Sequence, residues 1–205
     1  MDYLWTPWRY QYITGNQKPT RKGVPPELEA WPGDLDCVFC NLIASSEYAI
    51  EHGMAAEAAE RAALIVYRAE RIFVCLNRFP YNSGHLMVLP YTHGNSLSAL
   101  APDSAHAFIE HAQRAERALR QVYSPDGLNM GINFGSAAGA GVAGHLHLHA
   151  LPRWEGDTSF MTVTSETRTL PEPLDVTWSR LREAFAALDL DAPELDAPDK
   201  GNSPV

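Results

Sequence analysis

Residues 144–154 read GHLHLHALPRW, with His145, His147 and His149 at every second position and Leu146, Leu148 and Ala150 between them. In an extended strand successive side chains point to opposite faces, and residues two apart lie roughly 6.6 Å from one another on the same face. Three imidazoles then line one surface while the aliphatic side chains enter a core from the other. A solvated strand face is ordinarily filled by a mixture of Thr, Lys, Glu and Ser. Three aligned histidines point to a site.

Working outward, residues 62–77, AALIVYRAERIFVCLN, hold two β-rich runs about a polar RAER, which predicts a hairpin. HLMVLP at 85–90 and LNMGINF at 128–134 supply a third and a fourth strand. Between Pro102 and Val122, the residues Phe108, Ala112, Ala115, Leu119 and Val122 recur at steps of four and three, the spacing of a helix with one buried stripe. Pro102 suits its first turn, and SPDG at 124–127 stops it. The order β-β-β-α-β-β predicts an antiparallel five-stranded sheet with one main helix packed on it, an α+β fold. A closing helix is expected over 178–188. Residues 1–36, rich in Trp, Pro and Gly, are expected to wrap over a domain spanning 37–188, anchored by Trp5, Trp8 and Tyr10. The acidic, Pro-rich segment 189–205 is expected to be disordered.

At 205 residues and 45% hydrophobic, the chain can bury a full core. A net charge of -9 gives no general attraction to duplex nucleic acid or an anionic membrane, which leaves small molecules, including phosphates in a local pocket, as the expected partners. The N-terminal MDYLWTPWRYQYITGNQ lacks a charged segment followed by an apolar run, and no window holds the roughly 20 apolar residues of a membrane span, so a cytoplasmic location is expected. Three cysteines, two of them in CVFC at 37–40, do not make a secreted disulfide framework.

Two chemistries could use the histidines. Two of them could ligate a metal, or one neutral imidazole could act as a nucleophile while its other ring nitrogen is held by a hydrogen bond. The loop GSAAGAGVAG, residues 135–144, offers backbone N–H groups unobstructed by side chains beside the imidazoles, and such concavities bind anions. Nucleophile and anion nest together suggest phosphoryl or nucleotidyl transfer. The spacing of CVFC lets two thiolates share one tetrahedral metal ion, and fits equally a redox pair or two ordinary cysteines beside a turn. His52, His106 and His111 read as surface histidines and Cys75 as a buried thiol.

HLHLHAL resembles the His-x-His-x-His-x-x pattern of the histidine triad superfamily of nucleotide hydrolases and transferases, and the resemblance runs from about residue 37 to about residue 160. In LNRFPYNSGHLMVLPYTH, residues 76–93, Asn77 stands eight residues before His85 of a Gly-His pair, like the family segment that binds ribose. LWTPWR, PYNSGHLMVLPY and PRWEGDTSFM look like the diadenosine tetraphosphate phosphorylase branch. The resemblance implies that His147 attacks the α-phosphorus of a nucleoside polyphosphate to form a covalent nucleotidyl intermediate, which phosphate or water then releases. It also implies that His149 contacts the phosphate and that Asn133 lies near it. Related enzymes often carry Gln-Ser or a similar hydroxyl pair four and three residues before the first histidine. Here Gly141 and Val142 stand there, so backbone amides or Ser136 would have to serve the leaving group. The third histidine sets the chain apart from hexose-1-phosphate uridylyltransferases, which resemble His-x-His-x-Gln.

In zinc-containing members a Cys-x-x-Cys joins a histidine three residues after the proline of the third strand and the first histidine of the triad. The matching residues are Cys37, Cys40, His93 and His145, which implies a structural zinc ion. Family members commonly pair sheets across a two-fold axis, which implies a homodimer. Two other readings stay open: a nucleotide-binding protein with little turnover, and a metal-dependent hydrolase using His147 and His149 as ligands.

Overall fold

The computed structural model describes residues 22–157 and 172–190. Its strands are β1 (Ile65–Arg68), β2 (Ile72–Leu76), β3 (Leu86–Pro90), β4 (Gly127–Ile132) and β5 (Leu148–Arg153). They form one sheet in the order β1-β2-β3-β5-β4, with every neighbouring pair antiparallel. The helices are α1 (Val38–Glu51), α2 (Ala56–Ala62), α3 (Pro102–Tyr123) and α4 (Leu174–Leu190). The expected α+β architecture is present, with α3 as its longest helix.

Strand alternation sorts the core into two clusters. Val74, Leu76, Leu86, Val88, Leu148 and Ala150 face α3 and α4, which contribute Phe108, Ala112, Ala115, Leu119, Trp178, Leu181 and Phe185. Burial of each large side chain there contributes about 1.5–3 kcal/mol. Pro102 opens α3, and Ser124, in the left-handed region at φ 42°, closes it by donating its N–H to the Arg120 carbonyl. The Trp178 indole N–H donates to the Ile65 carbonyl at 2.8 Å, tying α4 to β1. His111, expected at the surface, is only 6% exposed. It flanks the apolar stripe of α3, bonded to the Ala107 carbonyl at 2.7 Å and packed against Tyr67.

On the other face Ile65, Phe73, Cys75, Met87 and Leu89 meet Phe39 and Leu42 of α1, Ala59 of α2, and Val24 and Leu28 of the preceding segment. The sequence pattern did not call for α1 and α2, and their presence explains why β2 and β3 are buried on both sides. Asn41, fully buried, holds the segment before α1 by donating to the carbonyls of Lys22 and Leu35 and accepting from the Leu35 N–H. This second cluster draws its strand residues from β1, β2 and β3 alone. Over β5 and β4 the same face is more open: His149 is partly buried, and Asn129 and Gly131 are exposed.

Helix α4 runs through Leu190, two residues past its expected end at 188, with Asp189 bonded to Arg114 and Tyr67. Trp5, Trp8, Tyr10 and the remainder of the tail lie outside the described residues, as does most of DTSFM. No helix among the described residues is long and apolar enough to cross a membrane.

Candidate functional site

The three histidines keep their alternation, but only His149 lies within the hydrogen-bonded ladder, where it faces Met87 of β3 and Gly131 of β4. His145 and His147 occupy an extended lead-in. There the Leu146 N–H donates to the Gly94 carbonyl at 2.6 Å, and the His145 carbonyl accepts from the side chain of His147 at 2.7 Å. Those backbone groups are spent outside the ladder, and the strand begins at Leu148.

Each ring's hydrogen bonds fix its tautomer, because a carbonyl can only accept. His147 donates through Nδ1 to the His145 carbonyl, which leaves a lone pair on Nε2. His85, 1% exposed, accepts the Tyr81 N–H on Nδ1 at 3.1 Å and so carries its proton on Nε2, which donates to His149 Nδ1 at 2.9 Å. His149 in turn keeps its own proton on Nε2. Burial is the main force on all three rings. It lowers His147, takes His85 down to about 3 with help from His149 and His147, and takes His149 down to about 4 with help from His147. All three are neutral near pH 7, the form in which an imidazole nitrogen keeps a lone pair.

At the other end of the lead-in, Cys37 caps the N-terminus of α1 and Cys40 lies in its first turn. His145 donates Nε2–H to the Pro90 carbonyl at 2.9 Å, which turns its Nδ1 lone pair toward both sulfurs, 3.4 and 3.6 Å away. His93 Nδ1 lies 3.4 Å from the Cys40 sulfur. A tetrahedral ion with bonds of about 2.3 Å to sulfur and 2.0–2.1 Å to nitrogen would hold those atoms about 3.6 Å apart, so the geometry fits one. The four ligand atoms lie within 4.8 Å of one another, and they are the single group of three or more potential metal ligands that converges among the described residues. His147 and His149 belong to no such group. Burial opposes ionisation of both thiols. The hydrogen-bonded neighbours His145 and Cys40 outweigh it at Cys37, which falls to about 6, while burial and the neighbouring Cys37 push Cys40 up to about 11. A divalent cation would draw off the second proton.

The remaining expected residues surround the histidines unequally. Asn77, at the end of β2, accepts the Phe79 N–H on Oδ1 at 2.9 Å, so its amide NH2 is the group turned to other use. Asn133 follows β4 and reaches toward Gly139, which sits at φ 89° in the loop 135–144. Ser136 and Gly141 are exposed on that loop, whereas Val142 packs against the cluster around Phe39 and so offers its backbone alone. Three participants were not read from the sequence. Phe39, between the two cysteines, packs its ring 5.5 Å from that of His145 and 5.2 Å from that of His147. The Pro90 carbonyl and the Tyr81 N–H set tautomers, and a backbone group leaves no mark in residue identity. Of the three, an aromatic placed between two candidate ligands was the signal available.

A family model described as the HIT domain matches residues 58–156. The AP-4-A phosphorylase of Mycobacterium tuberculosis is 33% identical over 174 residues, covering 85% of this chain and 79% of that one. A zinc-bound histidine triad family protein from Mycobacterium smegmatis superposes with a TM-score of 0.55 at 31% identity, over 77% of this chain and 98% of its own. A hypothetical histidine triad nucleotide-binding protein from Sulfolobus tokodaii, 23% identical, shares the fold with a TM-score of 0.56 over 79% of this chain and all of its own. With the histidines at 145, 147 and 149 arranged as described, the chain belongs to the HIT, or histidine triad, family.

Proposed function

We propose that this chain is a nucleotidyl hydrolase or phosphorylase acting on diadenosine polyphosphates or related nucleoside phosphates. The observation that carries this reading is the hydrogen bond from His147 Nδ1 to the His145 carbonyl, which leaves a neutral imidazole with one lone pair on Nε2. In the proposed reaction Nε2 attacks the α-phosphorus, a P–N bond forms, and the P–O bond to the remaining phosphates breaks with its electron pair on the departing oxygen. His147 then carries a positive charge, which the His145 carbonyl stabilises. Phosphate or water attacks the same phosphorus, and the P–N pair returns to Nε2. His149 donates Nε2–H to a phosphate oxygen, Asn133 and the amides of the 135–144 loop line the anion site, and the Asn77 amide meets the ribose hydroxyls. With Gly141 and Val142 in place of a hydroxyl pair, the departing oxygen depends on backbone amides or on Ser136. The likeness to AP-4-A phosphorylase supports the substrate class.

The Cys37, Cys40, His93 and His145 set is proposed to hold zinc in a structural role. A closed four-ligand site supplies cross-linking and leaves no position for a reacting group. Pairing of two copies is proposed along β4, an edge strand with Met130 exposed.

The decisive experiment incubates the protein with diadenosine tetraphosphate, with and without inorganic phosphate. Consumption of the substrate, with a labelled adenylyl group trapped on the wild type and absent from His147→Ala, supports the reading. Binding without consumption would establish the second reading, a nucleotide-binding protein with little turnover, which the missing hydroxyl pair favours.

A further inference from the structure

Tyr81 lies in the loop between β2 and β3, and that loop is fixed at both ends. Asn77 closes its start through the Phe79 N–H. Asn82 closes its end by donating to the Pro152 carbonyl at 3.2 Å and to Asp157 at 3.3 Å. Between these ties the backbone N–H of Tyr81 reaches His85, and its ring lies over the histidine pair, with centroids 4.7 Å from His85 and 6.1 Å from His149. Tyr81 is itself 45% exposed while His85 beneath its ring is 1% exposed, so the ring stands between that pair and solvent.

We infer that Tyr81 is a positioning residue for His149. Its N–H fixes, through His85, the nitrogen on which His149 carries its proton, and its ring shuts water away from the hydrogen bond between them. His149 therefore meets a substrate phosphate as a neutral N–H donor. The inference rests on the proposed contact of His149 with phosphate. Among the described residues, the groups facing His149 are His85 across the hydrogen bond, His147 two residues earlier with its ring 4.8 Å away, and Tyr81 itself; Met87 and Gly131, its cross-strand neighbours, carry no charge. Burial dominates the low proton affinities of His85 and His149, and a ring that covers both is part of that burial. The neutral form suits the chemistry. A cationic His149 would oppose the positive charge that His147 acquires when it bonds to phosphorus, whereas a neutral donor stays aligned with the phosphate throughout.

The test is an NMR titration of the histidine side chains in the substrate-free protein, purified without chelator, with the His149 signals assigned by their loss in His149→Gln. Tyr81→Ala opens the pair to water, and the His149 midpoint is expected to rise by about one pH unit or more. Tyr81→Leu keeps an apolar cover and is expected to stay within about 0.3 unit of wild type. An unmoved midpoint in Tyr81→Ala overturns the inference, and so does a Leu variant that titrates like the Ala variant. The acid limb of the pH–rate profile should move with the same midpoint. Tyr81→Ala raising KM for the nucleotide while the titration stays in place would make the ring a ligand contact and likewise overturn it. The titration is read without substrate, so it succeeds or fails independently of whether the chain turns over dinucleotides.

Discussion

His145 and His147 stand two residues apart on one extended segment, yet they offer opposite ring nitrogens. His145 spends Nε2–H on the Pro90 carbonyl and turns Nδ1 to two sulfurs. His147 spends Nδ1–H on the His145 carbonyl and keeps Nε2. The side-chain type is the same and both rings pack on Phe39 of α1; the carbonyl each ring finds decides which lone pair is left, and with it whether the imidazole suits a metal or a phosphorus atom. Both residues are buried; from His147 the chain runs on to His149, partly buried where the sheet face is more open.

The comparison is broken most completely at His147. His147→Ala should remove turnover by several orders of magnitude while leaving nucleotide binding largely intact, as seen in steady-state kinetics beside a binding assay. A variant keeping a tenth of wild-type activity, about 1.4 kcal/mol in barrier, would show that Nε2 is not the nucleophile.

At the metal end the expected loss is in stability. Cys37→Ser with Cys40→Ser should lower the melting temperature by on the order of 5–10 °C, at about 2–4 °C per kcal/mol for a chain of this size, and should reduce but not abolish turnover. Elemental analysis of wild type purified without chelator should find one zinc per chain. Less than about a quarter of an equivalent would leave His145 without that role. Because thiolate ligands must lose protons, zinc retention should weaken as pH falls toward 5.

Acid sharpens the contrast at the buried pair. His85 titrates at about 3 in the folded chain and near 6.5 when unfolded, so between those values the unfolded state binds more protons. The stability this group contributes is complete above about pH 6.5 and is lost as pH falls toward 3, at up to about 1.4 kcal/mol per pH unit. Melting curves from pH 7 to pH 5 should therefore fall more steeply for wild type than for His85→Gln. Equal slopes would mean that His85 is protonated in the folded protein.

The smallest expected effect lies at Asn77. Asn77→Ala should weaken ribonucleotide substrates by roughly 1–3 kcal/mol and 2'-deoxy substrates by less, measured as kcat/KM. Equal losses would place the ribose contact elsewhere.

The hairpin about RAER, the stripe Phe108–Ala112–Ala115–Leu119 and the alternation at 144–150 were legible because each is a local periodicity that the core preserves. The convergence of Cys37, Cys40, His93 and His145 was legible only through resemblance, since spacing alone left CVFC open. Helices α1 and α2 were not read: in LIASSEYAI and AAEAAERAA small and polar residues break the apolar stripe, and the helical segment is defined by what it covers on β2 and β3. The start of β5 at Leu148 escaped for a different reason. It depends on where the His145 carbonyl and the Leu146 N–H find partners, and a distant Gly94 carbonyl is not encoded in the local pattern.

Cys37 and His145 are separated by 108 residues, and the chain between them includes four of the five strands and α3. Contacts of such long range form slowly, because the entropy of closing the loop must be met before the contact rewards it. The four ligands become neighbours only once β3 has found β5, so in refolding the capture of an ion reports the final closure of the sheet. A zinc-sensitive dye in the refolding buffer would then time the joining of the chain's two halves, a step that helix signals, which rise with local structure, pass over.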